Sequence, residues 1–404
     1  MIQTRHHSYK AVVAGHICLD IIPEMGEMPL KSPGDFYQPG TLRLIGKSHL
    51  STGGAVSNTG LSLLKLGIDA TLMGKVGEDS FGRIIRDILR DQWGLTQGMV
   101  SVKDETTAYT LVLTPGNYDR MFLHHPGANQ TYCSADIDYE KVAQSDLFHF
   151  GYPPLMDKIF ANEGKELAEI FKRVKEMEVT TSLDMAYPDP ESPAGRADWQ
   201  TILKHLLPWV DIFLPSYEEI LSMLHPQRAI QARLAGFPMN PEEDSFIHEV
   251  TGLAEELLEM GVKIAGIKCG TSGIYLRTAS REKLESMVRP GFWNPSQWGE
   301  MERWEPPYRA ECFVNANGSG DAAIAGFLAA YLRGESLSSA LHYASAAGAC
   351  NVTKADTLSG IKNWEETTLL INEGWEKSPF RINHSGWKER EGGQWAGSQD
   401  KSFD

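Results

Sequence analysis

The chain has 404 residues, 42% of them apolar, with 53 acidic against 38 basic side chains and a formal net charge of −15. That length suffices for one large α/β domain with additions or for two domains, while the charge repels nucleic acid and anionic membranes, so any phosphate site has to be built locally. Cys18, Cys133, Cys269, Cys312 and Cys350 are scattered without C-x-x-C spacing, which argues against both a disulfide framework and a zinc site and for reduced thiols in cytoplasm.

Along the chain, short apolar runs alternate with longer amphipathic ones, the pattern of βαβ units and a mostly parallel sheet covered by helices. A strand is expected at 11–14, then a Pro- and Gly-rich stretch with alternating apolar residues at 23–49. A helix at 56–66, a strand at 70–74 and a helix at 81–92 follow. Residues 106–114 with 120–124 read as a hairpin. Strands at 147–150, 181–183, 212–214 and 264–267 are interleaved with helices at 164–177 and 250–260. Two segments break the rhythm as additions: 223–249, with three prolines, and 281–307, with Trp293, Trp298 and Trp304, which suggest a cover over a ligand site or a subunit contact. Two last helices are expected at 321–332 and 338–352. From 378 onward the chain is rich in Gly, Ser, Lys and Glu, with Trp387 and Trp395, and reads as a disordered tail or an arm laid on a neighbour. There is no apolar run of signal-peptide or membrane-spanning length.

The chemistry concentrates in Asn315-Ala316-Asn317-Gly318-Ser319-Gly320-Asp321, which runs into an apolar, Ala-rich helix. Gly318 and Gly320 permit a tight turn with its N–H groups pointing one way, and the helix adds the positive end of its dipole, so phosphate oxygens are the natural guest. Asp321, in the first helical turn, is placed to take a proton from a hydroxyl beside that phosphate. An ordinary turn with an Asp N-cap is the plain alternative. A dinucleotide fingerprint through Gly318, Gly320 and Ala323 fits less well, since it follows polar residues, comes late in the chain and lacks an acidic residue about 20 positions on.

A second segment carries a resemblance. Gly53-Gly54-Ala55-Val56-Ser57-Asn58, the apolar run to Leu66, and Gly67 through Gly82 with Gly74-Lys75-Val76-Gly77-Glu78-Asp79 resemble the N-terminal signature of the ribokinase-like (PfkB) sugar kinases, and Gly318 to Asp321 resembles their C-terminal one. The resemblance spans roughly 11–360. It implies an α/β ribokinase-like fold with a central, mostly parallel sheet flanked by helices, and a small β-sheet lid from about 23–49 and 106–124. The expected division is a kinase domain over 1–377 and a tail over 378–404.

The resemblance also implies roles. Asp321 would be the base, with Gly318, Ser319 and Gly320 as the anion hole. Asp20, expected at the carboxyl end of a central strand where α/β sheets bind ligands, would accept sugar hydroxyls, with Gly53, Gly54 and Asn58 beside it. ATP and Mg²⁺ are the implied cofactors: Lys268, Gly270 and Gly273 resemble the strand-turn of the nucleotide site, Gly348 lies in the helix that makes room for adenine, and Glu219 matches the metal-organising Asn-x-x-Glu, whose Asn is here Ser216. Ala55 stands where members acting on sugar phosphates often carry Lys, so a neutral substrate is expected, although Arg120 and Lys75 leave an acidic sugar open. Asn315 and Asn317 replace the usual Asp-x-Thr opening of the C-terminal signature, which predicts little dependence on a monovalent cation.

The expected activity is ATP-dependent phosphorylation of a primary hydroxyl of a small, non-phosphorylated sugar or polyol by a cytoplasmic homodimer. A nucleoside kinase of the same fold and a silent sugar-binding regulator stand as alternatives.

Overall fold

A computed structural model describes residues 9–26, 36, 39–114, 121–287 and 295–401. In chain order the strands are β1 (Lys10–Gly15), β2 (Cys18–Pro23), β3 (Ser48–Gly53), β4 (Asp69–Gly77), β5 (Met99–Val102), β6 (Tyr109–Leu113), β7 (Met121–His125), β8 (Leu147–Gly151), β9 (Thr180–Leu183), β10 (Ile212–Phe213), β11 (Ile264–Lys268), β12 (Ile274–Thr278), β13 (Glu302–Glu305), β14 (Lys388–Glu389) and β15 (Trp395–Ala396). Among the described residues, eleven form one sheet in the order β14-β15-β13-β12-β11-β10-β9-β8-β1-β4-β5. The run from β11 to β5 is parallel. β12, β13, β15 and β14 add an antiparallel edge. All six strands expected from the apolar runs are present, with Val12, Val13, Leu147, Phe148, Ile264 and Ala265 fully or almost fully buried, as a sheet covered on both faces requires.

The helices that matter for the site are α1 (Ala55–Lys65), α2 (Tyr217–Leu224), α3 (Ser319–Leu332) and α4 (Leu337–Asn351). α3 is apolar on every side and buried from Asp321 to Leu332, because α1 and α4 pack against it. Close approach depends on Gly326, where a Cβ would stand 2.3 Å from the Tyr343 carbonyl oxygen of α4. Strand order reverses between β1 and β8: the chain builds outward through β4 and β5, then in the other direction through β9, β10 and β11. A crevice at the carboxyl ends of β1 and β8 follows from that reversal.

The second sheet, β3-β2-β6-β7, is the lid. Its strands differ from the expected stretch at 23–49: β2 begins at Cys18 and the return strand is Ser48–Gly53, so Asp20 belongs to the lid rather than to the end of a central strand. β2 runs antiparallel to β3 and parallel to β6. Residues 27–35 and 115–120, including Arg120, lie outside the described residues.

Three expectations change where tertiary packing decides. Residues 281–307 supply a sheet strand, β13, rather than a pure insertion. Trp298 packs edge-on against Phe327 and Tyr331 of α3, and Trp304 is fully buried among Phe246, Tyr275 and Trp387; both serve the chain's own core, and Trp293 lies outside the described residues. The segment from 378 is neither a free tail nor an arm on a neighbour, since β14 and β15 extend the sheet from β13. Apolar Phe380, Ile382, Trp387 and Trp395 find their burial there. Among the described residues, no helix is long and apolar enough to cross a membrane, and none of the five cysteines is in a disulfide.

Asp400 fastens this edge: its carboxylate accepts from the Arg303 guanidinium and, at 3.0 Å, from the Glu302 N–H, with Asp400 and Arg303 side chains 1% and 5% exposed. Removing one partner of a buried pair strands the other charge. Asp400→Ala is therefore expected to lose about 3–5 kcal/mol of unfolding free energy in urea; a loss within experimental error would show that the C-terminal strands do not hold the sheet edge.

Candidate active site

The parallel strands deliver polar side chains to the crevice from their carboxyl ends. His16 follows β1, Tyr152 follows β8, Asp184 follows β9, and Lys268 is the last residue of β11. Ser216 and Glu219 open α2 after β10, and the turn at Gly318 brings the first turn of α3 to the same place.

Asp321 sits there 3% exposed. Its Oδ2 accepts from the Tyr152 hydroxyl at 2.7 Å and from Asn58 Nδ2 at 3.0 Å, and its Oδ1 from Thr59 Oγ1 at 3.3 Å. Burial raises its proton affinity, against the donors Tyr152 and Asn58 and the more distant Lys268 ammonium, which lower it. Tyr152 holds a left-handed backbone, φ 63° and ψ 45°, strain of the kind that persists where surrounding structure enforces it. Burial and the neighbouring Asp321 carboxylate push its phenol well above the ordinary range, so it remains a donor.

Gly318 is the N-cap of α3 at φ 72°, and Gly320 lies over the Lys268 side chain, where a Cβ would come within 3.4 Å of Cε. By position, the N–H groups of Gly320 and Asp321 have no acceptor within the helix, while Ser319 N–H is taken by the Ala316 carbonyl at 3.2 Å. Lys268 is not a free cation: its ammonium donates to Asp184 Oδ1 and to the Leu214 carbonyl, both at 2.6 Å. Asp184 is raised to about 6, by burial first, against the pull of Lys268. Glu219 closes a capping box on α2, accepting from Ser216 N–H at 2.6 Å while Ser216 Oγ accepts from Glu219 N–H at 3.3 Å. Its carboxyl is pushed up by burial, with the Lys268 charge opposing and Asp184 adding to the rise.

Gly270 and Gly273 flank a single turn with φ of 51° and 87°. That turn is held by the segment 223–249, since Ser272 Oγ donates to the Met239 carbonyl at 2.6 Å. Gly348 spaces α4 from α3: a Cβ would stand 3.4 Å from the Ser319 carbonyl oxygen.

Beneath the lid lies a cavity of about 720 Å³. Asp20, 6% exposed, lines it and accepts from the Cys18 thiol at 3.3 Å. Two glycines make room for the polar residues rather than for the backbone alone. A Cβ on Gly53 would collide with the Asp20 carboxylate at 2.3 Å, and one on Gly54, at φ 84°, with His16 Nδ1 at 2.5 Å. Ala55 is fully buried against Gly151, so position 55 does not face the cavity. Lys75 is tied to Asp136 at 3.3 Å and to the Thr131 carbonyl. The cavity itself carries the charge information: among the described residues that line it, Asp20, Asp157, Asp189 and Glu219 are acidic and none is Lys or Arg. His16 and His124 stay neutral there, His16 held well below the usual value and His124 at about 4, chiefly by burial.

Tyr152, Thr59, Asp184, His16 and His124 escaped the sequence reading. Gly151-Tyr152-Pro153-Pro154 after an apolar run was the one signal, a strand ending in a stiff turn; the others become visible once strand ends converge.

Residues 10–364 match the model of the pfkB family carbohydrate kinases. The chain belongs to that family. A sugar kinase of Archaeoglobus fulgidus, itself described as uncharacterized, is 26% identical over 278 residues, 69% of this chain and 88% of its own. The ATP-dependent ribose-1-phosphate kinase of Halopiger xanaduensis is 24% identical over 340 residues, 84% of this chain and 90% of its own. Arabidopsis thaliana ribokinase, solved with ribose and ATP, superposes with a TM-score of 0.66 at 21% identity over 90% of this chain and 99% of its own. The fold is ribokinase-like, and the enzyme is a phosphotransferase with an alcohol acceptor.

In this kinase Asp20 is raised to about 6, chiefly by burial. Its protonated form therefore favours the folded state fully below about pH 4, the unfolded value, and that contribution is lost as pH rises through about 6. The stability of the wild type relative to Asp20→Asn should fall by up to about 3 kcal/mol between pH 4 and pH 7 in urea titrations. A difference that stays flat with pH would contradict the burial argument.

Proposed function

We propose that this kinase transfers the terminal phosphoryl group of ATP to a primary hydroxyl of a small, non-phosphorylated sugar or sugar-like polyol, with Asp321 as general base. The observation that carries the reading is the Asp321 carboxylate, buried in the first turn of α3 and fixed by Tyr152, Asn58 and Thr59. The cavity beside it holds acidic and neutral groups, which suits hydroxyls and disfavours an anionic acceptor.

The residues fit ATP and Mg²⁺. A Cβ-free cradle at Gly320 and the N–H groups of Gly320 and Asp321 suit phosphate oxygens, and Glu219 with Asp184 offers the oxygen donors that Mg²⁺ takes directly or through water. When bound, the nucleotide supplies the phosphoryl group and the metal neutralises its charge. Asp20 would accept hydrogen bonds from sugar hydroxyls; Asp321 would take the proton of the attacking one, at Oδ1 or Oδ2, while Tyr152 holds the carboxylate in line. The Gly318–Asp321 backbone would stabilise charge on the moving group, and the lid would keep water from acting as acceptor. Direct transfer leaves no covalent enzyme intermediate.

Asn315 bears on the monovalent cation. Its Nδ2 donates to the Lys354 and Ala355 carbonyls at 3.2 and 2.5 Å, and its Oδ1 accepts from Asn317 N–H at 2.7 Å. An amide thus ties the two loops together, which supports activity without K⁺. A homodimer through the lid is our reading of its other exposed apolar residues, Leu50, Met121 and Leu123; a monomer by light scattering would exclude it.

ADP release across ketoses, aldoses, sugar acids and nucleosides, with Asp321→Asn in parallel, tests the reaction. The variant is expected to lose ~10²–10⁴-fold in kcat with ATP affinity nearly kept, and near-normal turnover would remove Asp321 from the base role. In the same assay K⁺ and Na⁺ at matched ionic strength should give equal rates; several-fold stimulation by K⁺ would contradict the amide tie.

A further inference from the structure

The pairing register decides what the lid presents to the cleft. Cys18 and Asp20 are two apart on β2 and so share a face. Asp20 lies opposite Thr110 across β2–β6, and Thr110 opposite His124 across β6–β7. His16, in the turn from β1 into β2, meets this row: its Nε2 is 3.3 Å from His124 Nε2, with the ring centroids 5.0 Å apart. One ring nitrogen of each histidine and the Cys18 Sγ all lie within 4.8 Å of one another. Two imidazoles and a thiol drawn from two segments, 16–18 and β7, have converged, an arrangement that cysteine spacing along the chain cannot reveal.

We propose that His16, Cys18 and His124 form a binding site for a borderline-soft divalent cation of the zinc class on the cleft side of the lid, with a water in the fourth position. The nitrogen separation fits: a tetrahedral ion with metal–nitrogen bonds of about 2.0–2.1 Å holds its ligands about 3.3–3.4 Å apart, and these nitrogens already stand at 3.3 Å. The donor set selects the ion, because imidazole and thiolate suit zinc and not magnesium. His124 is oriented from behind, as metal-bound histidines usually are, by Nδ1 contact with Thr110 Oγ1 at 3.0 Å. His16 Nδ1 is buried without a partner, so that ring makes its one hydrogen bond through Nε2, the atom aimed at the site.

The proton balance closes within the site. The Cys18 S–H bond breaks as the sulfur–metal bond forms, and the proton passes to Asp20 Oδ1, the acceptor it already faces at 3.3 Å, and from there to solvent. Nothing is oxidised or reduced. A cation so placed occupies the cavity beside Asp20, where the proposed sugar hydroxyls bind. The functional consequence, which rests on the kinase reading, is inhibition by zinc that competes with the sugar while Mg²⁺ does not.

The test is titration of the reduced, metal-free full-length chain with Co²⁺ in the absence of nucleotide. One equivalent should produce the visible bands of tetrahedral cobalt together with a near-ultraviolet thiolate-to-cobalt charge-transfer band, both abolished by a further equivalent of Zn²⁺. Cys18→Ser, nearly isosteric, should lose the charge-transfer band. His124→Gln should lose the tetrahedral spectrum with an unchanged circular dichroism spectrum, which keeps the test decisive if the cysteine variant folds poorly. Thr110→Val should weaken binding about 10–100-fold. Absence of tetrahedral cobalt, or a charge-transfer band that survives in Cys18→Ser, would overturn the proposal. Because this readout needs no turnover, its failure sinks the metal site alone, while silence across the sugar panel with the cobalt spectrum intact sinks the kinase reading alone.

Discussion

The site depends on holding one carboxylate, Asp321, in a dry place without neutralising it. Taking it out of water is costly, and three neutral donors offset that cost: the Tyr152 hydroxyl, the Asn58 amide and the Thr59 hydroxyl. They arrive from two constraints. Tyr152 reaches it because the chain leaves β8 in a left-handed turn, and Asn58 and Thr59 reach it because α1 lies against α3. The ammonium that might have formed a direct ion pair, Lys268, is occupied by Asp184 and the Leu214 carbonyl. A neutral-donor cage fixes the carboxylate's direction without an ion pair to Lys268, which suits the base role proposed for it.

Close backbone approach makes that geometry attainable. Gly15 lies against the Gly151 carbonyl, where a Cβ would stand 2.4 Å from its oxygen, and a Cβ on Gly151 would stand 2.1 Å from that of Ala55. The ends of β1 and β8 and the start of α1 are thus pressed into one layer. On the other side, Gly53 and Gly54 let Asp20 and His16 fold under the lid. The charge pattern follows the same division of space: acidic groups line the cavity under the lid, while the turn at Gly318 presents helix N–H groups. A net charge of −15 does not bar an anion from such a turn, because local dipoles act at contact distance, whereas surface charges are screened within about 10 Å.

How much of this could be read in the chain differs residue by residue. The turn at Gly318–Asp321 was legible because its glycines, the helix start and the carboxylate are contiguous in sequence. Six of the seven parallel strands were legible, most of them because burial on both faces leaves short apolar runs; β5 (Met99–Val102) was not expected. Asp20, expected at the end of a central strand, lines the cavity from the lid sheet instead, since nothing in Gly15-His16-Ile17-Cys18 announces that the chain leaves the central sheet after one turn. Ala55, read as a specificity position, is buried against Gly151 and does not line the cavity. Trp298, Trp304 and the residues beyond 378 looked like surface additions because their partners lie far along the chain.

By itself, then, the sequence determined the elements and the glycine turn that opens α3 at Asp321, since each rests on local backbone geometry or on the period of apolar residues. Tertiary structure alone decided which groups hold the Asp321 carboxylate, which charge the cavity under the lid carries, and that His16, Cys18 and His124 meet. Those are contacts across strand ends and sheet registers, set by how the strands order themselves at the β1–β8 reversal. No local pattern encodes that order, because it depends on burying the apolar faces of the whole chain at once.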